Sequence, residues 1–255
     1  MSAPGCALAR AASVLALAAL LLTGCATPAV DEFPAGDARA VTTEEAQLFA
    51  ATRFRNYDAG ARTVAFTLEE AGGPSSFAGW VDYAHGVGYG RLETPAEHGL
   101  LLWNAAVVGS HPAEGDTAPL PIPDTDRLAE AWTGGALAPS SSRLHALLAT
   151  LVALGVDRPD NPLLLQQSGA LWLGERQLDG RELTVFAGPP SDEALPAGAT
   201  ADPDAASVRY WIDATGLLAR LDVRLGGTGG WTAVTFGDAA GVELGDPFAE
   251  AGAGS

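Results

Sequence analysis

The 255-residue chain contains no lysine, so its positive charge rests on 14 arginines set against 31 acidic residues. A formal charge of −17 excludes a nucleic-acid interface, because a phosphate backbone demands a basic face. It also opposes adsorption of the folded domain onto anionic headgroups, and solubility is its simplest consequence. Cysteine is nearly missing: Cys6 and Cys25 are the whole complement, which leaves no disulfide framework to expect. The chain has no GxSxG, no HExxH and no P-loop, and its four histidines, His85, His98, His111 and His145, form no ligand pair at helical spacing. Gly109-Ser110-His111 sets a hydroxyl beside an imidazole, but neighbours in an extended strand point to opposite faces. Asp157, Asp160 and Asn161 offer oxygen ligands, and capping of the segment before Pro162 accounts for them equally well. Gly86, Gly88 and Gly90 alternate without a following helix, which suits a bent strand rather than a phosphate loop. Catalysis, a metal site and a cofactor are therefore not expected.

The long apolar run from Ala11 to Leu22 is too short to span a membrane and follows Arg10, the pattern of a secretory signal. Its ending, Leu22-Thr23-Gly24-Cys25, resembles the bacterial lipobox. That resemblance implies cleavage before Cys25 and diacylation of its thiol, with Cys6 lost in the signal. Residues 1–24 then form a lipoprotein signal peptide, and residues 25–41 the lipidated Cys and a flexible tether rich in Pro, Gly and acids. Residues 42–248 form a single domain, and residues 249–255 a disordered tail. The expected location is extracytoplasmic, on the outer face of the cell membrane.

What the chain does have is 47% apolar residues, enough for a real core, and much of it is patterned with period two. In Val208–Leu225, VRYWIDATGLLARLDVRL, apolar residues alternate on both sides of the turn Asp213-Ala214-Thr215-Gly216, the mark of an antiparallel hairpin. Pairing Ile212 with Leu217 places both apolar sets on one face. The other face then carries arginines and aspartates suited to water, with Trp211 stacked over the arginine stems. Asp179-Gly180 predicts a second hairpin, and Trp80-Val81-Asp82 with Gly86 echoes Trp211-Ile212-Asp213 with Gly216. Leu100–Val108 reads as one strand, and residues 109–123 as a surface loop. Thr42 or Thr43 starts a helix to Tyr57 whose apolar side runs through Ala46, Phe49 or Ala50, Arg53 or Phe54, and Tyr57. Further helices are expected over 124–135 and, after the serines at 140–142, over 143–155. The sum is one domain of about seven to nine strands with three helices.

This order of elements resembles the LolA-type lipoprotein-carrier fold. The residues that carry the resemblance are the W-V-D hairpin, an inserted Leu-rich helix, the D-G hairpin, YWIDATGLLARLDV and WTAVTFGDAAGVELGDP. It lies nearest the LppX/LprG group of actinobacterial lipoproteins. The resemblance implies an α+β domain in which a strongly curved antiparallel sheet forms a half-barrel and helices cover its concave apolar face. It also implies a binding protein that holds the acyl chain of a lipid or lipoprotein between sheet and helices. The inward face would include Val208, Tyr210, Ile212, Leu221 and Val223 with Leu101, Trp103 and Leu183. Leu144, Leu148 and Leu151 would line a helical lid. The partners implied are a lipid or acylated ligand, the membrane through Cys25, and an envelope protein, with no nucleic acid. The alternative is a non-catalytic sensor or interaction module of the envelope whose core is filled.

Overall fold

The structure, a computed structural model, describes residues 33, 37–96, 98–190, 202–226 and 230–248. The signal peptide, Cys25, most of the tether and the 249–255 tail lie outside the described residues. Strand β1 is Arg39–Ala40, followed by helix α1, Thr43–Ala59. A meander follows of β2 Ala61–Glu70, β3 Gly73–Asp82, β4 Val87–Glu93, β5 His98–Trp103 and β6 Val107–Pro112. Helix α2, Leu128–Ala131, leads to β7, Thr133–Ala136, and then come helices α3, Arg143–Ala153, and α4, Pro162–Gln167. A second meander of β8 Leu171–Leu178, β9 Arg181–Ala187, β10 Val208–Ile212, β11 Leu218–Arg224 and β12 Trp231–Asp238 completes the order.

All twelve strands join one open antiparallel sheet in the order β1-β8-β9-β10-β11-β12-β2-β3-β4-β5-β6-β7. The two meanders meet where β12 pairs β2, Val234 opposite Phe66 and Phe236 opposite Val64. This is the expected α+β class, an open curved sheet with α1, α3 and α4 on its concave face and the short α2 on the other. The strand count exceeds the expectation for local reasons. Asn104 bonds the amides of Ala106 and Val107 at 2.8 and 3.0 Å, so Leu100–Val108 is a hairpin, not one strand. The chain expected to loop from Gly109 stays extended to Pro112 and pairs β7. The helix expected over 124–135 shrinks to a 3-10 turn and α2, because Gly134 and Gly135 join the sheet as part of β7.

Turn chemistry set the hairpins as expected. Asp179 (φ 51) and Gly180 (φ 75) occupy the two left-handed positions of a type I′ turn. The Asp213 carboxylate accepts from the amides of Thr215 and Leu217 at 2.8 and 3.1 Å, and Gly216 (φ 86) closes the turn. Asp82 repeats the device, accepting from Ala84 and His85 before Gly86 (φ 66). Val81 and Ile212 are both fully buried beside these turns. The W-[VI]-D echo is thus a shared hairpin geometry.

The central register differs from expectation. Ile212 faces Leu218, and a bulge follows before Trp211 meets Arg220. The turn keeps Leu217 for itself, through Asp213 N–H to Leu217 O at 3.0 Å, and the spare residue is absorbed in β11. Leu218 therefore enters the core and Leu217 is left half-buried.

The face expected to meet water is also covered. Arg209, Arg220 and Asp222 are buried, Asp222 completely. Arg220 Nε bonds Asp222 Oδ1 at 2.7 Å and Trp211 Nε1 donates to Asp222 Oδ2 at 2.9 Å. Arg220 stacks over Trp211 at 4.5 Å as expected. Phe33 meets Trp211 edge-on at 6.0 Å, and Arg209 lies 4.8 Å over Phe33. Within the 25–41 stretch read as a tether, Phe33 and Val41 are buried and β1 pairs β8, so this part packs on the domain. On the same outer side, Ile122, Trp132 and Leu244 cover Tyr89, Leu100 and Leu102.

Candidate functional site

The concave face was expected to carry the binding residues. Leu101, Trp103, Leu148, Leu151, Ile212, Leu221 and Val223 lie buried together there, and Leu144, Val208 and Tyr210 pack at the margin. Leu183 does not join them. It sits on the opposite face with Leu173, Val185 and Trp211, because in β9 the concave positions belong to Thr184 and Phe186. Leu183, Val185 and Phe186 are all apolar, so alternation alone could not choose the face, and Phe186 went unread as an inward residue.

Beneath α3 the concave face is filled. Trp103, Leu147, Leu148 and Leu151 are fully buried, and Trp103 Nε1 donates to Leu148 O at 3.1 Å. Gly88 makes this possible, because a Cβ there would overlap the Trp103 ring. Gly90 likewise leaves room for Phe77, which explains the alternating glycines of β4.

A groove of about 610 Å³ opens instead where α1 and α4 part above β10, within the ~300–1,000 Å³ typical of ligand sites. Its aromatic lining is Phe49 and Tyr210, with ring centroids 4.9 Å apart, and Phe186 stacks on Phe49 at 5.0 Å. Leu164 and Leu165 of α4 form the apolar wall, and Leu164 is 60% exposed. Arg53, Asp160, Asn161, Gln167 and Ser168 make the polar part. Burial raises the Tyr210 phenol, Arg53 opposing this and Asp160 adding to it.

Local sequence builds this site. Asn161 caps α4 by accepting from Leu163 N at 3.0 Å, with Pro162 at the first helical position. The link before it is clasped to α1: Val156 N and Asp160 N donate to the carbonyls of Arg53 and Ala50 at 3.2 and 2.9 Å. Asn56 Nδ2 donates to Leu154 O at 3.0 Å, and Arg53 Nε to Ala153 O at 2.9 Å. The buried side of α1 therefore turns polar, with Thr52 and Asn56 inside where Arg53 or Phe54, and Tyr57, were expected. Thr52, Arg53, Leu164 and Leu165 were not read as site residues. The available signal was the leucine run Leu163-Leu164-Leu165 directly after an Asn-Pro helix start.

Three of the four histidines make contacts within the fold. His85 pairs with Asp82 at 2.9 Å, His111 stacks on Trp132 at 5.2 Å, and His145 Nδ1 accepts from Ala138 N at 3.1 Å. Ser110 Oγ contacts Thr133 O at 3.4 Å. Among the described residues no three His, Cys, Asp or Glu side chains gather to hold a metal, and no helix is long and apolar enough to cross a membrane.

No family model and no curated protein matches the chain. Among solved structures it is similar to a putative outer membrane lipoprotein-sorting protein domain from Vibrio parahaemolyticus. The identity is 13%, the TM-score 0.27, and the match covers 79% of this chain and 95% of that one. It is also similar to a LolA superfamily protein from Nitrosomonas europaea, at 11% identity and TM-score 0.26, covering 78% of this chain and 93% of that one. Overlap this loose leaves the ligand to be argued from the groove itself.

Proposed function

We propose that the chain is a LolA-type envelope lipoprotein, nearest the LppX/LprG group, which binds the acyl chain of a lipid or acylated ligand. Its domain, residues 42–248, would be held at the outer face of the cell membrane by lipid on Cys25. Two acyl chains give stable anchoring where one gives only marginal binding. The observation that carries the reading is the groove between α1, α4 and the sheet, lined by Phe49, Tyr210, Leu164 and Leu165. An acyl chain laid on these side chains gains roughly 0.8 kcal/mol for each CH2 removed from water. The proposed contact lies beside α1 and α4 rather than beneath the expected lid of Leu144, Leu148 and Leu151, and of the residues expected from the sequence Tyr210 is in the groove's lining.

The filled core beneath α3, with Trp103 and Leu148 fully buried, favours a second reading: a sensor or interaction module of the envelope without a lipid cargo. Native mass spectrometry of the chain carrying Cys25→Ser, produced in a related bacterium, separates the two. A bound mass that organic solvent releases and that fragments as a lipid is the expected result. A clean apo mass, with no uptake from membrane lipids, would leave the interaction module.

A further inference from the structure

Resting on that reading, we infer that the groove selects a single-chain amphiphile with a zwitterionic head, one carrying an anionic and a cationic group together. The polar part of the groove is an ion pair, Arg53 Nη1 to Asp160 Oδ1 at 3.0 Å, in which the two side chains remain 35% and 34% exposed. The pair is monodentate. Arg53 spends Nε on Ala153 O and Nη1 on Asp160, which leaves Nη2 without a partner among the described residues. Asp160 has Oδ2 in the same condition. One donor and one acceptor thus stand side by side at the groove. An anion alone would meet the Asp160 carboxylate, and a cation alone would meet the guanidinium. A phosphate next to an ammonium satisfies both with charge-assisted bonds.

Volume sets the number of chains. At about 30 Å³ per methylene-sized group, the share of one water in the liquid, the ~610 Å³ of the groove seats roughly 20 groups. That matches one palmitoyl chain of 16 carbons with its head at the open side beside Arg53 and Asp160, and it falls short of the 32 carbons of two such chains. The third feature is Thr52, which lines the groove and is 1% exposed, with no partner for its hydroxyl among the described residues. Beside Phe49 and Tyr210 it offers a donor to the ester of a bound chain.

The test is displacement of a fluorescent fatty acid from the full chain carrying Cys25→Ser, with every competitor below its micelle concentration. The competitors are palmitoyl lysophosphatidylcholine, palmitoyl lysophosphatidylglycerol, palmitate and the monomer-soluble two-chain lipid dioctanoyl phosphatidylcholine. The zwitterionic lysolipid is expected to bind about tenfold tighter than the two anionic single chains, the gain of one charge-assisted contact. Arg53→Gln and Asp160→Asn should each abolish that preference, Asp160→Asn by tightening palmitate as the repelling carboxylate is lost, and Arg53→Gln by weakening the lysophosphatidylcholine whose phosphate contact is lost. Equal binding of the three single chains would overturn the head-group inference while the acyl-chain reading stands. So would equal loss of all ligands in both variants, which marks the pair as a structural latch. Tight binding of the two-chain lipid would overturn the single-chain limit. Failure of every competitor would overturn the carrier reading itself.

Discussion

At the scale of single residues, charge in this protein works mostly inside its own structure. Glu45 closes a capping box with Thr42 and is gripped by Arg39 at 2.7 and 2.6 Å. The Arg39 contact, helped by Thr42, lowers its carboxyl from the ordinary 4.5 to about 2. A lowered folded-state pKa stabilises the fold above the ordinary value and loses that contribution as pH falls toward the folded one. The expected window runs from about pH 5 to pH 2, and solvent screening of this exposed pair holds the effect near 1 kcal/mol. Urea midpoints measured across that window should fall more steeply for the native chain than for Glu45→Gln. Parallel curves would show that Arg39 and Glu45 contribute nothing measurable. Asp222 has the opposite sign: complete burial raises its carboxyl, and Arg220 with Trp211 only partly offsets this.

At the scale of elements, α3 and α4 divide the labour between packing and access. The Ser142 hydroxyl caps α3 by accepting from His145 N, and Leu147, Leu148 and Leu151 then seal the concave core. Leu148→Ala should cost about 2–5 kcal/mol, as truncations of packed leucines do. Helix α4 is different, because Leu163 and Leu164 are exposed at 56% and 60%. Leu164→Asp should change stability by less than about 0.5 kcal/mol, yet sharply weaken displacement by palmitate. Denaturant unfolding and the displacement assay read the two effects separately. A Leu164→Asp chain that binds palmitate normally would move the acyl site away from the groove.

At the scale of the whole molecule, the two meanders share one core. The concave cluster runs from Val64, Phe66 and Phe77 of the first to Phe186, Leu221 and Val234 of the second, across the β12–β2 seam. Separate folding of either half would expose that apolar face. The expected result is a single cooperative transition in which tryptophan fluorescence and far-UV circular dichroism coincide. Trp80 and Trp103 report from the first meander, and Trp172, Trp211 and Trp231 from the second. Two resolved transitions would mean that the seam does not couple the halves.

Much of this architecture was legible along the chain. Asp179-Gly180 and the Asp213–Gly216 turn specify their hairpins because Asp and Gly side chains act on the backbone beside them. Period two in Val208–Leu225 assigned Tyr210, Ile212, Leu221 and Val223 to one face for the same local reason. Folding in three dimensions decided what covers each face. Nothing in β9 distinguishes Leu183 from Phe186 until both sheet faces are seen to be apolar, and Arg209 and Asp222 read as solvent residues until Phe33 lies over that surface. The groove is the clearest case. Phe49, Arg53, Asp160, Leu164 and Tyr210 come from three separate stretches, and only the docking of α4 and its preceding link on α1 brings them together. A residue's own chemistry and that of its near neighbours determine turns, caps and periodicity, whereas the partner across the core comes from elsewhere in the chain and is set by packing alone.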